Sequence, residues 1–331
     1  MSNTTNTINQ NITKLQGKAF IAFPEMMGLL KSELTARCGY VKANELNSNC
    51  KTYGDLYYCP DYEGVTPYWA ATVLEEPFLL KFDSIGEAAK TLKSIQRNWA
   101  PYQYQLFRRA ALLQDKLPYI NLKEKKFPFE IPHSPMGVYT LIDDHTIIAS
   151  AKTSSPLPAG RLQWIEDHEN PPSRAYLKIQ ESLTLAHYYF GVDLPKAGQR
   201  CFEAGACPGG WTWVLVGLGT NVLAVDRSEL VPSLMKNPLV TFKAHDAFTF
   251  KCEELGAFDW IFSDVICYPE RLLDWVKMWL SSGLVKNMIC TIKMQGEINW
   301  DTVKAFANIP NSIVVHLNYN KHELTWIHCE K

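Results

Sequence analysis

The sequence lacks the features that mark several common classes of protein. No apolar run approaches the roughly 20 residues that a helix needs to cross a bilayer, so no membrane partner is expected. The nine cysteines form no CxxC pair, so neither disulfides nor a metal site is predicted, and a reducing, cytoplasmic location is expected. The formal net charge of −1 by itself predicts no partner.

The amino-terminal residues lack the basic and apolar regions of a signal peptide. The stretch MSNTTNTINQNITK is polar instead. Polar chain ends with little to bury are commonly disordered. Residues 1–16 are therefore predicted to be a disordered tail.

The length and composition indicate two globular domains. The chain has 331 residues, 47% of them hydrophobic and 20% charged, which is enough for two cores. Over 17–160, strand-like segments (KAFIAF, GVYTLI, TIIASA) mix with helix-like ones (MMGLLKSELTAR, IGEAAKTLKSIQ). This mixture predicts a smaller α+β N-terminal domain. The stretch SSPLPAGRLQW is typical of a linker, and 161–331 is predicted to be the second domain.

Strand-like and helix-like segments alternate regularly in the second domain. The strand-like segments are RCFEAG, NVLAVD, LVTFKAHD, DWIFSDVI, NMICTIKM, SIVVHLNY and LTWIHCEK. Their nearly unbroken apolar character is typical of parallel strands that are buried on both faces. The last two follow each other closely, which predicts a hairpin and an antiparallel strand at or near the sheet edge. The predicted fold class is α/β, with a Rossmann-like, mostly parallel sheet.

Segment 90–126 is the most basic part of the chain. It has nine Lys and Arg residues against two acidic ones, a net charge of +7, with five aromatic residues interleaved. Basic side chains meet phosphates and aromatic rings stack on bases, so the mixture suits RNA. A solvated helix face with its aromatic residues in the core explains it equally well. The candidate RNA-binding residues here are Lys93, Arg97, Arg108, Arg109, Lys125 and Lys126.

The glycines of CFEAGACPGGWT, residues 201–212, predict a nucleotide-binding loop between a strand and a helix. The spacing is GxxxGG rather than the GxGxxG of dinucleotide-binding loops, and Pro208 removes an N–H of the kind that binds a pyrophosphate. Acidic residues follow the next two strands, as Asp226 and Asp246. A loop with acids and no basic residue favours S-adenosylmethionine, which has a sulfonium cation and no phosphate. The candidate cofactor-binding residues are Glu203, Gly205, Ala206, Cys207, Pro208, Gly209, Gly210, Trp211, Asp226, Asp246 and Asp264.

Several motifs resemble those of the FtsJ-like ribose 2′-O-methyltransferases. EAGACPGGWT resembles the first motif of that family, and PPSRAYLK, SDV, CTIKM and HELTWI follow in the family's order over about 165–331. The resemblance implies a catalytic Lys-Asp-Lys-Glu tetrad, formed here by Lys178, Asp264, Lys293 and Glu323. It also implies S-adenosylmethionine as the cofactor, a cytidine of large-subunit (23S) ribosomal RNA as the target, no DNA partner, and a THUMP-type RNA-binding module near the amino terminus.

The tetrad has a chemical rationale that is independent of the family. A ribose 2′-hydroxyl becomes a good nucleophile when a base within hydrogen-bond reach removes its proton. A lysine can be that base only as a neutral amine, and its ordinary pKa is about 10.4. Burial of Lys293 and the nearby cation of Lys178 are both expected to lower that pKa. Asp264 and Glu323 are then expected to orient the two amines.

Other functions are weighed against this one. An amino-group methyltransferase typically has a (D/N)PP(Y/F) motif where this chain has Asp264 followed by VICYP. Methylation of cytosine carbon 5 needs a nucleophilic cysteine, and Cys267 lies near the right place without the usual preceding proline. Two further alternatives are a catalytically silent RNA-binding or assembly factor and a small-molecule methyltransferase.

Overall fold

The computed structural model describes residues 11–37 and 49–330, which divide into two compact units. The N-terminal unit contains the described residues up to Glu124 together with Ile131–Gln163. The C-terminal unit contains Lys125–Glu130 and the residues from Trp164 onward.

The segment Lys125–Glu130 corrects the predicted domain boundaries, which placed it in the N-terminal domain. Its rings explain why it joins the C-terminal unit: Phe127 and Phe129 both lie edge-on to Trp164, with ring centroids 5.9 and 6.5 Å apart. The amide of Ile165 also donates to the carbonyl of Lys125 at 2.8 Å. These contacts bury aromatic surface that the segment would otherwise expose.

The N-terminal unit contains two β-sheets and three α-helices within its described residues. One sheet has the strand order β3-β4-β2-β5, and the other has the order β1-β6-β9-β8-β7. The elements are β1 (Ile12–Lys14), β2 (Lys18–Ala22), α1 (Met27–Ala36), β3 (Lys51–Tyr53), β4 (Leu56–Cys59), β5 (Ala70–Leu74), β6 (Phe78–Lys81), α2 (Ile85–Ile95), β7 (Trp99–Pro101), α3 (Phe107–Lys116), β8 (Gly137–Asp143) and β9 (Thr146–Ser150). The predicted α+β mixture is confirmed.

The predicted disordered tail is wrong over its last residues. Ile12–Lys14 form a strand that pairs antiparallel with Phe78–Leu80, and the side chain of Ile12 packs against the core of that sheet. The strand therefore satisfies its backbone groups and buries apolar surface, which a polar composition alone does not reveal. Residues 1–10 of the predicted tail lie outside the described residues.

Two helices cover the five-stranded sheet of the N-terminal unit. Leu92 of α2 and Leu113 of α3 are fully buried with Leu80 and Tyr139 of the sheet. Each such side chain stabilises the fold by roughly 1.5–3 kcal/mol relative to an exposed one. The indole of Trp99 lies in the same cluster and donates to the Leu92 carbonyl at 2.9 Å. This core explains why one interleaved aromatic residue of the basic segment is unavailable to RNA.

The C-terminal unit is built on a seven-stranded sheet with the order β12-β11-β10-β13-β14-β16-β15. Its elements are α4 (Tyr176–Phe190), β10 (Arg200–Ala204), α5 (Gly210–Gly217), β11 (Asn221–Asp226), α6 (Pro232–Met235), β12 (Val240–Ala244), α7 (Cys252–Leu255), β13 (Phe258–Ser263), α8 (Pro269–Ser282), β14 (Val285–Lys293), α9 (Trp300–Ala307), β15 (Ser312–Val315) and β16 (Glu323–Cys329). All seven predicted strands are present, and the Rossmann-like α/β class is confirmed.

Strand direction positions the loops of this sheet. β10 to β14 pair in parallel, whereas β16 runs antiparallel to both β14 and β15. The chain moves outward from β10 to β12 and then returns to β13 on the other side of β10. Ligands of such sheets bind at the carboxyl ends of the strands beside this reversal, which here lies between Ala204 and Ser263.

The helices that the structure describes include none that is long and apolar enough to cross a membrane.

Candidate functional site

Four charged side chains meet at the carboxyl edge of the C-terminal sheet. Lys178 comes from α4, Asp264 follows β13, Lys293 ends β14, and Glu323 begins β16. Because β16 runs antiparallel to β14, its first residue lies directly opposite the last residue of β14. The structure therefore brings together the four residues of the predicted tetrad.

The tetrad alternates cations and anions in a closed ring. The ammonium of Lys178 lies 2.7 Å from Asp264 Oδ2 and 3.1 Å from Glu323 Oε1. The ammonium of Lys293 lies 2.6 Å from Asp264 Oδ1 and 2.7 Å from Glu323 Oε2. Each charged group thus contacts two of the opposite sign. Since the four side chains are only 10–18% exposed, little water is present to screen these interactions.

The pKa of Lys293 is shifted in the direction opposite to the one that the sequence predicted. Burial lowers its pKa, but the carboxylates of Asp264 and Glu323 outweigh burial and raise the pKa above the ordinary value. For Asp264 the effects are reversed: burial alone would raise its pKa, but the ammonium groups of Lys178 and Lys293 outweigh burial and lower the pKa below the ordinary value. The expectation of a neutral Lys293 was wrong because it weighed burial and Lys178 without two carboxylates in direct contact. In this arrangement Lys293 is an ammonium.

The glycine loop fits closely against the protein itself. Gly205 and Gly209 have φ values of +79° and +114°, which favour glycine. A Cβ at Gly205 would lie 2.7 Å from Val265 Cγ2, and one at Gly210 would lie 2.5 Å from Ser173 Oγ. The glycines thus allow the loop to pack against the chain just before α4 and the chain just after β13. Their absence of a side chain is therefore explained by contacts within the protein.

Few side chains of the loop face outward. Ala206 and Trp211 are buried, and the indole of Trp211 donates to the Ala175 carbonyl at 2.9 Å. Cys207 and Pro208 are exposed. Of the predicted cofactor-binding residues in the loop, Ala206 and Trp211 therefore hold it in place, while Cys207 and Pro208 are exposed after the carboxyl end of β10.

The three acids at the strand ends have different environments. Glu203 is buried, accepts a hydrogen bond from the Thr212 hydroxyl, and has a pKa raised to about 8, chiefly by burial. A pKa of about 8 favours the neutral carboxyl form near pH 7 in the protein alone, and a nearby cation would lower it. Asp226 accepts from the Cys207 amide at 3.0 Å and from the Ser228 amide at 3.1 Å.

Asp246 lies two residues after the end of β12, close to its predicted place, and its carboxylate has partners. Oδ1 accepts from the Phe248 amide at 3.0 Å, and Oδ2 lies 3.1 Å from both Arg227 and Arg271. Burial raises the pKa of Asp246, and the amide and the arginines lower it below its ordinary value. Asp226 is therefore the strand-end acid with more acceptor capacity left for a ligand.

The loop after Asp264 places a buried cysteine between two exposed side chains. Cys267 is buried and its thiol pKa is raised, chiefly by burial, which disfavours the thiolate that a carbon-5 methyltransferase would need. Its neighbours Ile266 and Tyr268 are 81% and 66% exposed.

Sequence reasoning also missed Glu181, a buried acid of α4. Its spacing of three residues from Lys178 predicts that both lie on the same face of the helix.

The candidate RNA-binding residues fall in both units. Lys93, Arg97 and Arg108 are exposed on the N-terminal unit. The guanidinium of Arg109 instead lies 5.6 Å from the ring centroid of Phe82. Lys125 and Lys126 belong to the C-terminal unit, where the ammonium of Lys125 lies 5.6 Å from the Phe129 centroid and burial lowers its pKa.

The aromatic residues of the basic segment are also divided. Trp99 is fully buried, whereas Phe107 and Tyr119 are 60% and 79% exposed. Phe107 directly precedes Arg108 at the start of α3. Phe107 and Arg108 thus place an exposed ring next to an exposed guanidinium within the predicted RNA-binding segment.

Comparison with known proteins supports the resemblance seen in the motifs. Residues 171–309 match the model of the FtsJ-like methyltransferase family. A protein of Xanthomonas oryzae pv. oryzae (strain MAFF 311018) named ribosomal RNA large subunit methyltransferase M is 30% identical over 66% of this chain and 60% of its own length. A protein of that name from Xylella fastidiosa (strain 9a5c) is 32% identical over 51% of this chain and 48% of its own length.

The chain thus spans about 60% of the Xanthomonas relative. Among solved structures, a Burkholderia thailandensis 1,6-didemethyltoxoflavin-N1-methyltransferase with bound S-adenosylhomocysteine is 14% identical, with a TM-score of 0.33, over 48% of this chain and 80% of that one. A score this low supports no functional conclusion.

The ring of charges leads to a prediction about stability. Replacing Asp264 by Asn leaves two ammonium groups with a single carboxylate, and breaking a buried ion pair costs about 3–5 kcal/mol. We expect the free energy of unfolding of the C-terminal unit to fall by about that amount at pH 7, as measured by urea denaturation. The control Asp193→Asn, at an exposed position, should have the same free energy of unfolding as the wild type.

Lowering the pH should reduce the difference in the free energy of unfolding between wild type and Asp264→Asn. Because the pKa of Asp264 is lowered by folding, its contribution is present above the ordinary aspartate pKa of about 3.9 and is lost as the pH falls through the lowered value. A difference that stays constant down to acid unfolding would contradict the ionised form of Asp264 in the ring.

Proposed function

Since residues 171–309 match the FtsJ-like methyltransferase family, we propose that the chain is an S-adenosylmethionine-dependent 2′-O-methyltransferase of large-subunit ribosomal RNA. The observation that supports this proposal best is the closed ring of Lys178, Asp264, Lys293 and Glu323 beside the glycine loop. The ring holds two amines and two carboxylates where the carboxyl ends of the parallel strands meet. A hydroxyl placed there would find both proton acceptors and groups that orient it.

Lys293 is the proposed proton acceptor. As an ammonium bonded to two carboxylates it must first lose a proton, so its raised pKa opposes this role in the protein alone. A further cation in the crevice would lower the pKa, because like charges disfavour the ammonium form. Lys178, which bonds to the same two carboxylates, would then keep Asp264 and Glu323 in place while Lys293 holds the 2′-hydroxyl proton.

The glycine loop and Asp226 fit S-adenosylmethionine. When bound, this cofactor supplies a methyl group on a sulfonium cation. The loop from Gly205 to Trp211 contains no basic residue, and Asp226 already fixes the loop through the Cys207 amide. Each carboxylate oxygen can accept more than one hydrogen bond, so Asp226 can also accept from the ribose hydroxyls of the cofactor.

The RNA substrate is proposed from the relatives and from the N-terminal unit. Relatives at 30–32% identity have names that state a large-subunit ribosomal RNA methyltransferase. Exposed Arg108 beside exposed Phe107 offers a charge for a phosphate and a ring for a base. A cytidine as the target remains a prediction from the resemblance.

The proposal is tested by methyl transfer from tritiated S-adenosylmethionine to ribosomal RNA from a strain that lacks the gene. Wild-type protein should label the large-subunit RNA, and mapping of 2′-O-methyl groups should locate the product on one ribose. Absence of labelling on free RNA and on assembling subunits would contradict the enzymatic function and favour the silent RNA-binding factor. Labelling of a base instead would refute the ribose target.

Lys293→Ala should abolish transfer, because it removes the proposed proton acceptor. The matched control is Lys286→Ala on the same strand, which removes an exposed ion pair with Asp259 and should retain wild-type turnover. Binding of the cofactor should stay within a few-fold in both variants, as measured by calorimetry. Turnover by Lys293→Ala would exclude this lysine as the base.

Asp226→Ala should weaken cofactor binding at least tenfold, which corresponds to about 1.4 kcal/mol. The variant loses the proposed ribose contact and also the acceptor that holds the Cys207 amide. Asp259→Ala removes the same charge at the amino-terminal end of β13 and serves as the control. Equal dissociation constants for wild type and Asp226→Ala would refute this role.

Arg108→Glu should weaken RNA binding and reduce its salt dependence. It replaces an exposed guanidinium, the proposed partner of a phosphate, by a carboxylate that repels phosphate. Arg109→Glu should instead lower the melting temperature of the N-terminal unit, because the Arg109 guanidinium lies over Phe82. RNA titrations at several salt concentrations and thermal unfolding separate the two effects. Unchanged RNA affinity in Arg108→Glu would argue against this surface.

A further inference from the structure

Glu181 is a buried acid that the proposed reaction does not use. It lies on α4, three residues after Lys178, and is only 1% exposed. Its Oε1 accepts from the backbone amide and from the side-chain amide of Asn318, both at 2.9 Å. Burial raises the pKa of Glu181 to about 7. Burying a carboxyl group is costly unless it is hydrogen-bonded, so its partners indicate what it holds.

Asn318 belongs to the connection between β15 and β16, residues 316–322, which leads directly to Glu323. This connection is tied to itself and to the start of β16. The Asn320 amide donates to the Leu317 carbonyl at 3.1 Å. The Asn320 side chain donates to the Glu323 carbonyl at 3.2 Å and to the Thr325 hydroxyl at 3.0 Å. A displacement at Asn318 would therefore be transmitted to Glu323.

The links from α4 to this connection and to the strand that follows it include two that involve charged side chains of α4. One is the ion pair between Lys178 and Glu323, and the other is the pair of hydrogen bonds from Asn318 to Glu181. The two α4 residues lie three positions apart, on one face of the helix. Only the first link belongs to the tetrad, so the second can fix the position of Glu323 without contacting the reacting atoms.

We propose that Glu181 is a positioning residue that holds the 316–322 connection against α4, so that Glu323 contacts both lysines of the tetrad. Its effect on turnover depends on the proposed function, whereas its effect on the geometry of the tetrad does not. Misplacement of a positioning group by about 1 Å can lower turnover roughly a hundredfold. Glu181 is expected to act on turnover rather than on binding, because Glu323 is part of the tetrad and not of the glycine loop.

The first test compares Glu181→Leu, Glu181→Gln and the matched control Gln180→Leu, which places the same apolar residue at the neighbouring buried position of α4. In Glu181→Leu, kcat should fall roughly a hundredfold, while the KM for RNA and the Kd for the cofactor should change less than threefold. Glu181→Gln keeps an oxygen for Asn318 and should restore most of kcat. Wild-type kcat in Glu181→Leu, or an equal loss in Gln180→Leu, would overturn the proposal.

The second test needs no methyl transfer and so separates this proposal from the proposed function. Amines of the whole chain are acylated slowly, and the labelling rates of Lys178 and Lys293 are followed by mass spectrometry, with exposed Lys286 as the reference. Both tetrad lysines should react several-fold faster in Glu181→Leu than in wild type and Glu181→Gln. Unchanged rates would overturn the positioning role even in an active enzyme. If Glu181→Leu fails to fold, Asn318→Ala removes one of the two hydrogen bonds and should show the same effects to a smaller degree.

Discussion

Charge neutrality within the ring of Lys178, Asp264, Lys293 and Glu323 is the constraint on which the rest of the site depends. Each group contacts two of opposite charge, so none can be removed without leaving a buried charge short of a partner. The same contacts that make the ring stable raise the pKa of Lys293. The contacts that stabilise the ring therefore favour the ammonium form of Lys293, which already carries a proton and cannot accept another.

The direction of β16 makes the ring possible. The loops after β10 to β13 reach the carboxyl edge because those strands are parallel, and β14 contributes Lys293 as it ends there. β16 lies between β14 and β15 and runs the other way, so its first residue reaches the same edge. A parallel strand at this place would begin at the opposite edge and leave Glu323 far from Lys293. The hydrogen bonds from Asn318 to Glu181 then fasten the chain just before that first residue.

The glycine loop shows how one pattern can have two explanations. Sequence reasoning attributed its glycines to the approach of a ligand, whereas the structure places Gly205 against Val265 and Gly210 against Ser173. Close packing of the loop also determines where a ligand can lie, because it buries Ala206 and Trp211 and leaves Cys207 and Pro208 at the surface. The loop therefore takes its shape mainly from its own packing, and Asp226 supports it by accepting from the Cys207 amide.

The resemblance of the motifs to the FtsJ-like family predicted the four members of the ring. The sequence alone was enough for the α/β class and the seven strands of the C-terminal sheet, because apolar periodicity depends only on residues near in the chain. It did not determine the protonation of Glu203 and Lys293, the division of the basic segment between units, the place of Ile12–Lys14 in a sheet, or the role of Glu181. Those depend on burial and on partners up to 137 residues away. Only the tertiary structure decides which groups lose water and which charges face them, and these two quantities set a pKa.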